Sequence, residues 1–316
     1  QNDKGRFTNV TQQLAPGLLK PGIVNQAEWA DINGDGKNEL VICGEWMAPR
    51  IYAVQNGQLV KTSNTVSLNI GKDTLISMDD FTGSWYAVKA ADVDGDGDMD
   101  LVLGNRGLNS YIMGDFDHPC TIYGKDFDNN GSYDAVLGYY NQGKCYPLYS
   151  RDQLIDQMPM MRKKFIRYKN YSGTTLDNLF TTEQKKGMDV YLCRNFASGV
   201  LINEGNGKFR FNPFPERAQL SNISDMVIAD FDKDGKTDIL AGGNSNEPAV
   251  MVGNYDATAA ILLKGDGKGN YEAITPGGSG LNVRGEVRRI IYQKAANYST
   301  LILLKNSAPA QVFISR

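Results

Sequence analysis

The residues best suited to chemistry in this chain are carboxylates on alternate positions. Asp92, Asp94, Asp96, Asp98 and Asp100 fill five of nine consecutive places, broken by Gly95 and Gly97. Like charges at that density repel one another and find no partner inside the run. A bound cation removes the conflict. Hard oxygen donors on alternating places, with a glycine at the sharp bend, are what a calcium ion takes. The glycine supplies the positive φ that the bend needs.

The pattern occurs four times. The first copy holds Asp31, Asn33, Asp35, Gly36, Lys37 and Glu39, and the second runs from Asp92 to Asp100. The third holds Asp126, Asp128, Asn130, Gly131, Ser132 and Asp134; the fourth, Asp230, Asp232, Asp234, Gly235, Lys236 and Asp238. Places 1, 3 and 5 are Asp or Asn, place 6 is Gly, and place 9 is Asp or Glu. In each loop the side chains of places 1, 3, 5 and 9 are expected to coordinate. The backbone carbonyl of place 7 (Lys37, Asp98, Ser132 or Lys236) joins them, for up to four structural Ca²⁺. Carboxylate count ranks the second and fourth loops above the first and third. Affinities on the order of 10⁻⁴–10⁻³ M suit such modules outside the cell. A catalytic metal would need an open coordination position beside an acid or base, and four near-copies of one active site are implausible.

The elements that must position these loops are strands. An EF-hand requires Glu at place 12 and flanking helices; here place 12 is Ile42, Leu103, Leu137 and Ala241. Leu40-Val41-Ile42, Leu101-Val102-Leu103 and Ile239-Leu240-Ala241 are short apolar runs, which read as buried strands. Each unit is thus strand, loop, strand. A second phrase (Asn56-Gly57, Asn206-Gly207, Asp266-Gly267) marks tight hairpin turns further along each unit.

These loops resemble FG-GAP/VCBS repeats, the blade units of integrin-α-like β-propellers. The phrases Gly44-Glu45-Trp46-Met47, Gly104-Asn105-Arg106-Gly107-Leu108-Asn109, Tyr255-Asp256-Ala257 and Gly280-Leu281-Asn282-Val283-Arg284-Gly285-Glu286 are similar to VCBS-repeat propellers of secreted and surface proteins of the Bacteroidetes. The resemblance implies an all-β fold, a β-propeller of six to seven four-stranded blades making one domain over 1–316. Six units are expected near 22–64, 82–116, 119–150, 186–214, 222–273 and 285–316, and a seventh could hide in 64–82 or 150–190. The sixth ends one strand short, so the N-terminal strand at Arg6-Phe7-Thr8-Asn9-Val10 is expected to complete it and close the ring. Residues 151–186 have helical spacing and form an insertion, either cover for the ring or part of a binding surface.

Composition narrows the class. The chain has 316 residues, of which 22% are charged and 41% hydrophobic, ordinary for a soluble protein. No apolar run approaches the roughly 20 residues of a membrane span. The polar start at Gln1-Asn2-Asp3-Lys4-Gly5 carries no leader, so an exported protein would be a mature or trimmed form. The four cysteines (Cys43, Cys120, Cys145, Cys193) have no C-x-x-C spacing, which disfavours zinc. Cys43 and Cys193 read as buried thiols, whereas Cys120 and Cys145 flank the third loop and could meet across strands. The loops hold 15 of the 36 acidic residues, and four calcium ions would turn the formal −3 into +5. Arg162-Lys163-Lys164, Lys185-Lys186 and Arg284/Arg288/Arg289 then read first as solvated basic side chains, with an acidic glycan or protein partner as the other use for them; no nucleic-acid motif is present.

If the loops close one end of each unit, the connections after the second strands emerge at the other. Those connections carry Glu45, Trp46 and Arg50; Asn105, Arg106 and Asn109; Tyr139, Tyr140 and Tyr146; and Asn244, Asn246 and Glu247, with Trp85 and Tyr86 at the same end. Aromatic and amide groups converging on a depression suit sugar or peptide recognition; packing between blades is the other use for them. The function expected is a calcium-stabilised, secreted or surface-exposed binding module for a protein or glycan, within a larger surface assembly. The single His118 precedes Pro119 in a turn, and no G-x-S-x-G, H-E-x-x-H or nucleotide loop is present. A calcium-dependent polysaccharide lyase acting through Tyr, Arg and Lys is the enzymatic alternative.

Overall fold

The computed structural model describes residues 2–3, 5–69, 73–246 and 253–315. Glu247 lies outside them. The chain divides into two compact units. One combines Gln1–Tyr111 with Phe196–Arg316, and the other is Ile112–Asn195. The architecture is mostly β, in several separate sheets, and among the described residues no sheet closes on itself.

In the larger unit the first sheet takes Ile23–Ala30, Glu39–Met47, Arg50–Gln55 and Gln58–Lys61 in chain order. The third does the same with Ile223–Ala229, Asp238–Gly243, Ile261–Gly265 and Tyr271–Ile274. The second sheet is discontinuous in sequence. Ala87–Ala91 and Asp100–Gly104 pair with each other, and Gly199–Asn203 then joins Asp100–Gly104, followed by Lys208–Pro213. The smaller unit is therefore threaded between this sheet's second and third strands. Thr65–Asn69 adds parallel to Lys208–Pro213, and Asp73–Ser77 completes six strands. A fourth sheet has three strands, Val287–Lys294, Ser299–Lys305 and Ala308–Ser315.

Second strands are central in these sheets. Every residue of Asp100–Gly104 and Asp238–Gly243 is buried, which explains their continuous apolar character. The first strands lie side by side, Ile23–Ala30 against Ala87–Ala91, that against Ile223–Ala229, and that against Val287–Lys294. Two side chains at bulges tie neighbouring first strands. Gln26 accepts from the Val88 amide at 2.9 Å, and Asp225 from the Ile290 amide at 2.8 Å.

Several expectations are corrected. The stretches 119–150 and 186–214 are not successive blades. Asp189–Cys193 belongs to the smaller unit, whereas Gly199–Asn203 and Lys208–Pro213 complete the second sheet. Arg6–Phe7 does not close the last sheet. It folds back on Asn2–Asp3 across Gly5 (φ +87), and two ladder residues with Phe7 80% exposed bury too little to dock elsewhere. The described strands within 64–82, Thr65–Asn69 and Asp73–Ser77, extend an existing sheet instead of founding a blade. The helices expected over 151–186 lie within the compact unit that runs from 112 to 195.

The smaller unit has a sheet ordered Lys144–Pro147, Asp134–Asn141, Cys120–Lys125, Asp189–Cys193. Its five short helices span 151–185, beginning with Arg151–Gln157, which a Ser150/Gln153 capping box starts. Leu154, Ile155, Met158, Met161, Phe165, Leu176 and Leu179 pack with Val136 and Phe127, and Phe127 stacks on Phe180 at 3.7 Å. The helices are thus one wall of this unit's own core. Gly138 lies opposite Thr121, and Tyr140 opposite Cys145. Alternation then puts Cys145 on the face of Thr121 and Cys120 on the other, so the expected approach of Cys120 to Cys145 is corrected. No disulfide joins the described cysteines.

Candidate metal loops and the opposite rim

All four acidic loops share one backbone scaffold. The place 1 carboxylate straddles the bend. Asp31 accepts from the amides of Asp35 and Gly36, Asp126 from Asn130 and Gly131, and Asp230 from Asp234 and Gly235, at 2.8–3.1 Å. Asp92 accepts from Gly95 and Gly97 at 2.7 and 3.1 Å. Place 5 accepts from the place 7 amide in every copy. Gly97 at place 6 sits at φ +96, where a side chain would be strained.

Place 4 also has positive φ, in Gly34, Gly95, Asn129 and Lys233. The glycines and the asparagine signalled this; the lysine did not.

The place 9 acids are buried struts. Glu39, Asp100, Asp134 and Asp238 accept from the place 2 amides of Ile32, Val93, Phe127 and Phe231 at 2.9–3.0 Å. The second oxygen of Asp100 takes the Asn203 amide (2.7 Å), and that of Asp238 the Gly265 amide (3.0 Å), both in third strands. Loops are also tied to one another. Asn203 Nδ2 donates to the carbonyls of Ile32 and Met99, and Thr237 Oγ1 to that of Asp92. The first, second and fourth loops therefore share one end of the larger unit's sheets.

The donor set fits a divalent ion. Asp92/Asp94/Asp96, Asp126/Asp128/Asp134 and Asp230/Asp232/Asp234 each bring three carboxylate oxygens within 4.8 Å of one another and can hold a metal. Oxygens on one calcium lie at about 2.3–2.6 Å from it, so such mutual separations are compatible. Asp94 Oδ1 is buried and has no hydrogen-bond partner among the described residues. Burial, then the charges around it, push the Asp94 carboxyl up, and burial raises Asp134. Asp100 is pushed up to about 6, first by burial, with the amides of Asn203 and Val93 opposing. These carboxylates want a positive neighbour.

The fourth loop already has one. Lys264 bonds Asp232 and reaches Asp234 at 3.2 Å; its ammonium holds the Asp232 carboxyl below the usual range. Ranking the loops by carboxylate count overlooked this cation, which comes from the neighbouring strand.

At the far end of the same strands the expected recognition residues divide. Trp85 is fully buried against Phe81 with ring centroids 5.2 Å apart. Asn105 is buried, accepting from the Ser84 and Arg106 amides and donating to Ala197 O. Asn244, also buried at φ +74, ties Thr258 to Gly285. Asn105 and Asn244 spend their amides on holding connections together, whereas the enclosed Trp85 leaves its Nε1 without a hydrogen-bond partner among the described residues.

Glu45, Tyr86 and Arg106 do come together. Arg106 Nη2 donates to Tyr86 Oη at 3.1 Å, lies 3.9 Å from Glu45 and sets its guanidinium 5.8 Å from the Tyr255 ring centroid. Tyr255, whose hydroxyl pairs with Ser110 at 3.0 Å, is a member that was not singled out for this face. Burial pushes the Tyr86 phenol up, and Arg106 opposes it. Trp46 is half-buried at φ +57 in a bulge, and Arg50 donates to Pro21 O at 2.7 Å. Asn109 and Asn246 are exposed, and Asn109 donates to Leu220 O. Tyr139 and Tyr140 belong to the smaller unit, where Tyr139 lies 6.4 Å from Tyr146 and Tyr140 packs edge-on to His118.

Comparison with known proteins follows the loops. The FG-GAP-like repeat family model matches residues 31–103, from the first acidic loop through the strand after the second, and supports the FG-GAP repeat family for that stretch. No curated protein matches the chain. One solved structure, described as specific recognition of non-reducing terminal N-acetylglucosamine by an Agrocybe aegerita lectin, is 14% identical. The match covers 91% of this chain and 79% of that one with a TM-score of 0.21, an overlap too loose to speak to fold.

Proposed function

We propose that this chain is a calcium-stabilised extracellular binding module built from FG-GAP-type, propeller-like blades, which recognises a protein or glycan at the end opposite its acidic loops. The observation that carries the reading is the fourfold recurrence of one carboxylate-to-amide scaffold, with place 9 bracing loop to strand. An ion there neutralises the loop and locks strand register. The metal is structural in this reading, with places 1, 3, 5 and 9 and the place 7 carbonyl as donors. Calcium is favoured over Mg²⁺, whose tight octahedron keeps its waters.

The binding surface is centred on Arg106, Glu45, Tyr86 and Tyr255, with Trp46, Arg50, Asn109 and Asn246 around it. Arg106 Nε is buried and lacks a hydrogen-bond partner among the described residues, an unmet donor beside two phenols. A hydroxyl-rich or acidic ligand suits such a group. The lyase alternative is served less well. A phenol acting as base needs a lowered pKa, and burial moves Tyr86 the other way.

Glycan and peptide arrays probed in calcium test the reading. Binding is expected to one ligand class and to fall at least about tenfold in Arg106→Gln, compared at a temperature where that variant is folded. Ligand turnover, or binding unaffected by Arg106→Gln, would overturn the assignment of this surface.

A further inference from the structure

We infer that Cys120 and Cys193 are a disulfide-forming pair that clamps the smaller unit under oxidising conditions. The strands Cys120–Lys125 and Asp189–Cys193 are antiparallel, with Cys120 directly opposite Cys193. Opposed residues share a sheet face, with Cα atoms about 4.5 or 5.5 Å apart depending on the ladder position. Both separations lie inside the range of roughly 4.4–6.8 Å that disulfides bridge. The other thiols lack this relationship. Cys43 stands opposite Gln26 in its own ladder, and Cys145 opposite Tyr140 on the reverse face of the sheet from Cys120.

Both sulfurs are buried, so reaction needs an opening. Asp189–Cys193 is the outer strand of its sheet, with Val190 and Tyr191 exposed. Edge strands open at lower cost than the core. Peeling this strand exposes both cysteines and leaves the helical core in place.

The chemistry is thiol–disulfide exchange with a small or protein disulfide as oxidant. One cysteine, as thiolate, attacks the oxidant's S–S bond and forms a mixed disulfide while the oxidant's other sulfur leaves as a thiolate. The second cysteine, deprotonated in turn, displaces the remaining sulfur. One S–S bond forms and one breaks, two protons leave the cysteines, and the oxidant is reduced to two thiols. The product closes the chain from 120 to 193. It encloses the third acidic loop and all five helices, and long closures restrict the unfolded chain most.

Peptide mapping decides it. Protein purified under reducing conditions is equilibrated with glutathione buffers of increasing oxidised fraction, quenched with acid and digested without reductant. The expected result is a linked peptide pair containing Cys120 and Cys193, a fall from four titratable thiols to two, and a melting temperature higher by at least about 5 °C. Dithiothreitol should reverse all three. Cys145→Ala should retain the link and Cys193→Ala should abolish it. Four thiols persisting in denaturant after oxidation, or Cys120 linked to Cys145, would overturn the inference; the wild-type map suffices even where a variant fails to fold.

Discussion

Acidifying the calcium-free protein is expected to stabilise it, the reverse of its behaviour with calcium bound. Asp100 is fully buried and its carboxyl is pushed from the ordinary 3.8 to about 6, chiefly by burial. A carboxyl raised in the folded state favours folding when protonated. That contribution is complete below pH 3.8 and lost as pH rises through 6. A displacement of roughly two pH units corresponds to about 3 kcal/mol, of which about 2 kcal/mol is lost between pH 4.5 and 7. Asp94 and Asp134 are raised too, so they act in the same direction. A bound ion inverts the sign, because the ionised carboxylates then hold it and protons compete with it. Urea denaturation followed by tryptophan fluorescence, at pH 4.5, 5.5 and 7 in chelator and in millimolar calcium, measures both slopes. Parallel pH profiles in the two series, or a chelated protein that weakens on acidification, would refute the reasoning.

Three further perturbations follow from the same geometry. Lys264→Met removes the ammonium from Asp232 and Asp234 and should tighten the fourth loop for calcium by about threefold to tenfold, read by terbium luminescence or calorimetry; unchanged affinity would deny the lysine a role. Gly97→Ala meets no atom within 4 Å but forces a side chain into φ +96, so a loss of about 1–2 kcal/mol is expected from backbone strain alone. Asp225→Ala leaves the buried Ile290 amide without its acceptor and should cost about 1–3 kcal/mol in chemical denaturation.

The loops were legible because their chemistry is local. Nine residues with acids on alternate places and a glycine at place 6 carry the whole bend. Even there, Lys233 adopts positive φ without any sign in its residue type. Connectivity was not legible, since Gly199–Asn203 has the same apolar pattern whichever second strand it joins. The chain between Gly104 and Gly199 can hold a blade or a whole unit without altering either flank. The far rim was half legible for a related reason. Glu45, Tyr86 and Arg106 converge, but Asn105 and Asn244 spend their amides on backbone groups, and Trp85 spends its ring on Phe81. An amide or indole at a strand end looks the same in sequence whether it ties a connection or greets a ligand. Lys264 escaped notice because its acids lie about thirty residues earlier, across a hairpin that only the folded sheet brings together.

The central claim is that divalent ions neutralise the acidic loops and so hold the sheets in register. Calorimetric calcium titration of the chelated protein, with melting followed at each step, tests it most directly. The account predicts saturable uptake of up to four ions at submillimolar to millimolar calcium and a melting temperature that climbs with occupancy. No uptake at millimolar calcium, together with a melting temperature indifferent to chelator, would contradict it.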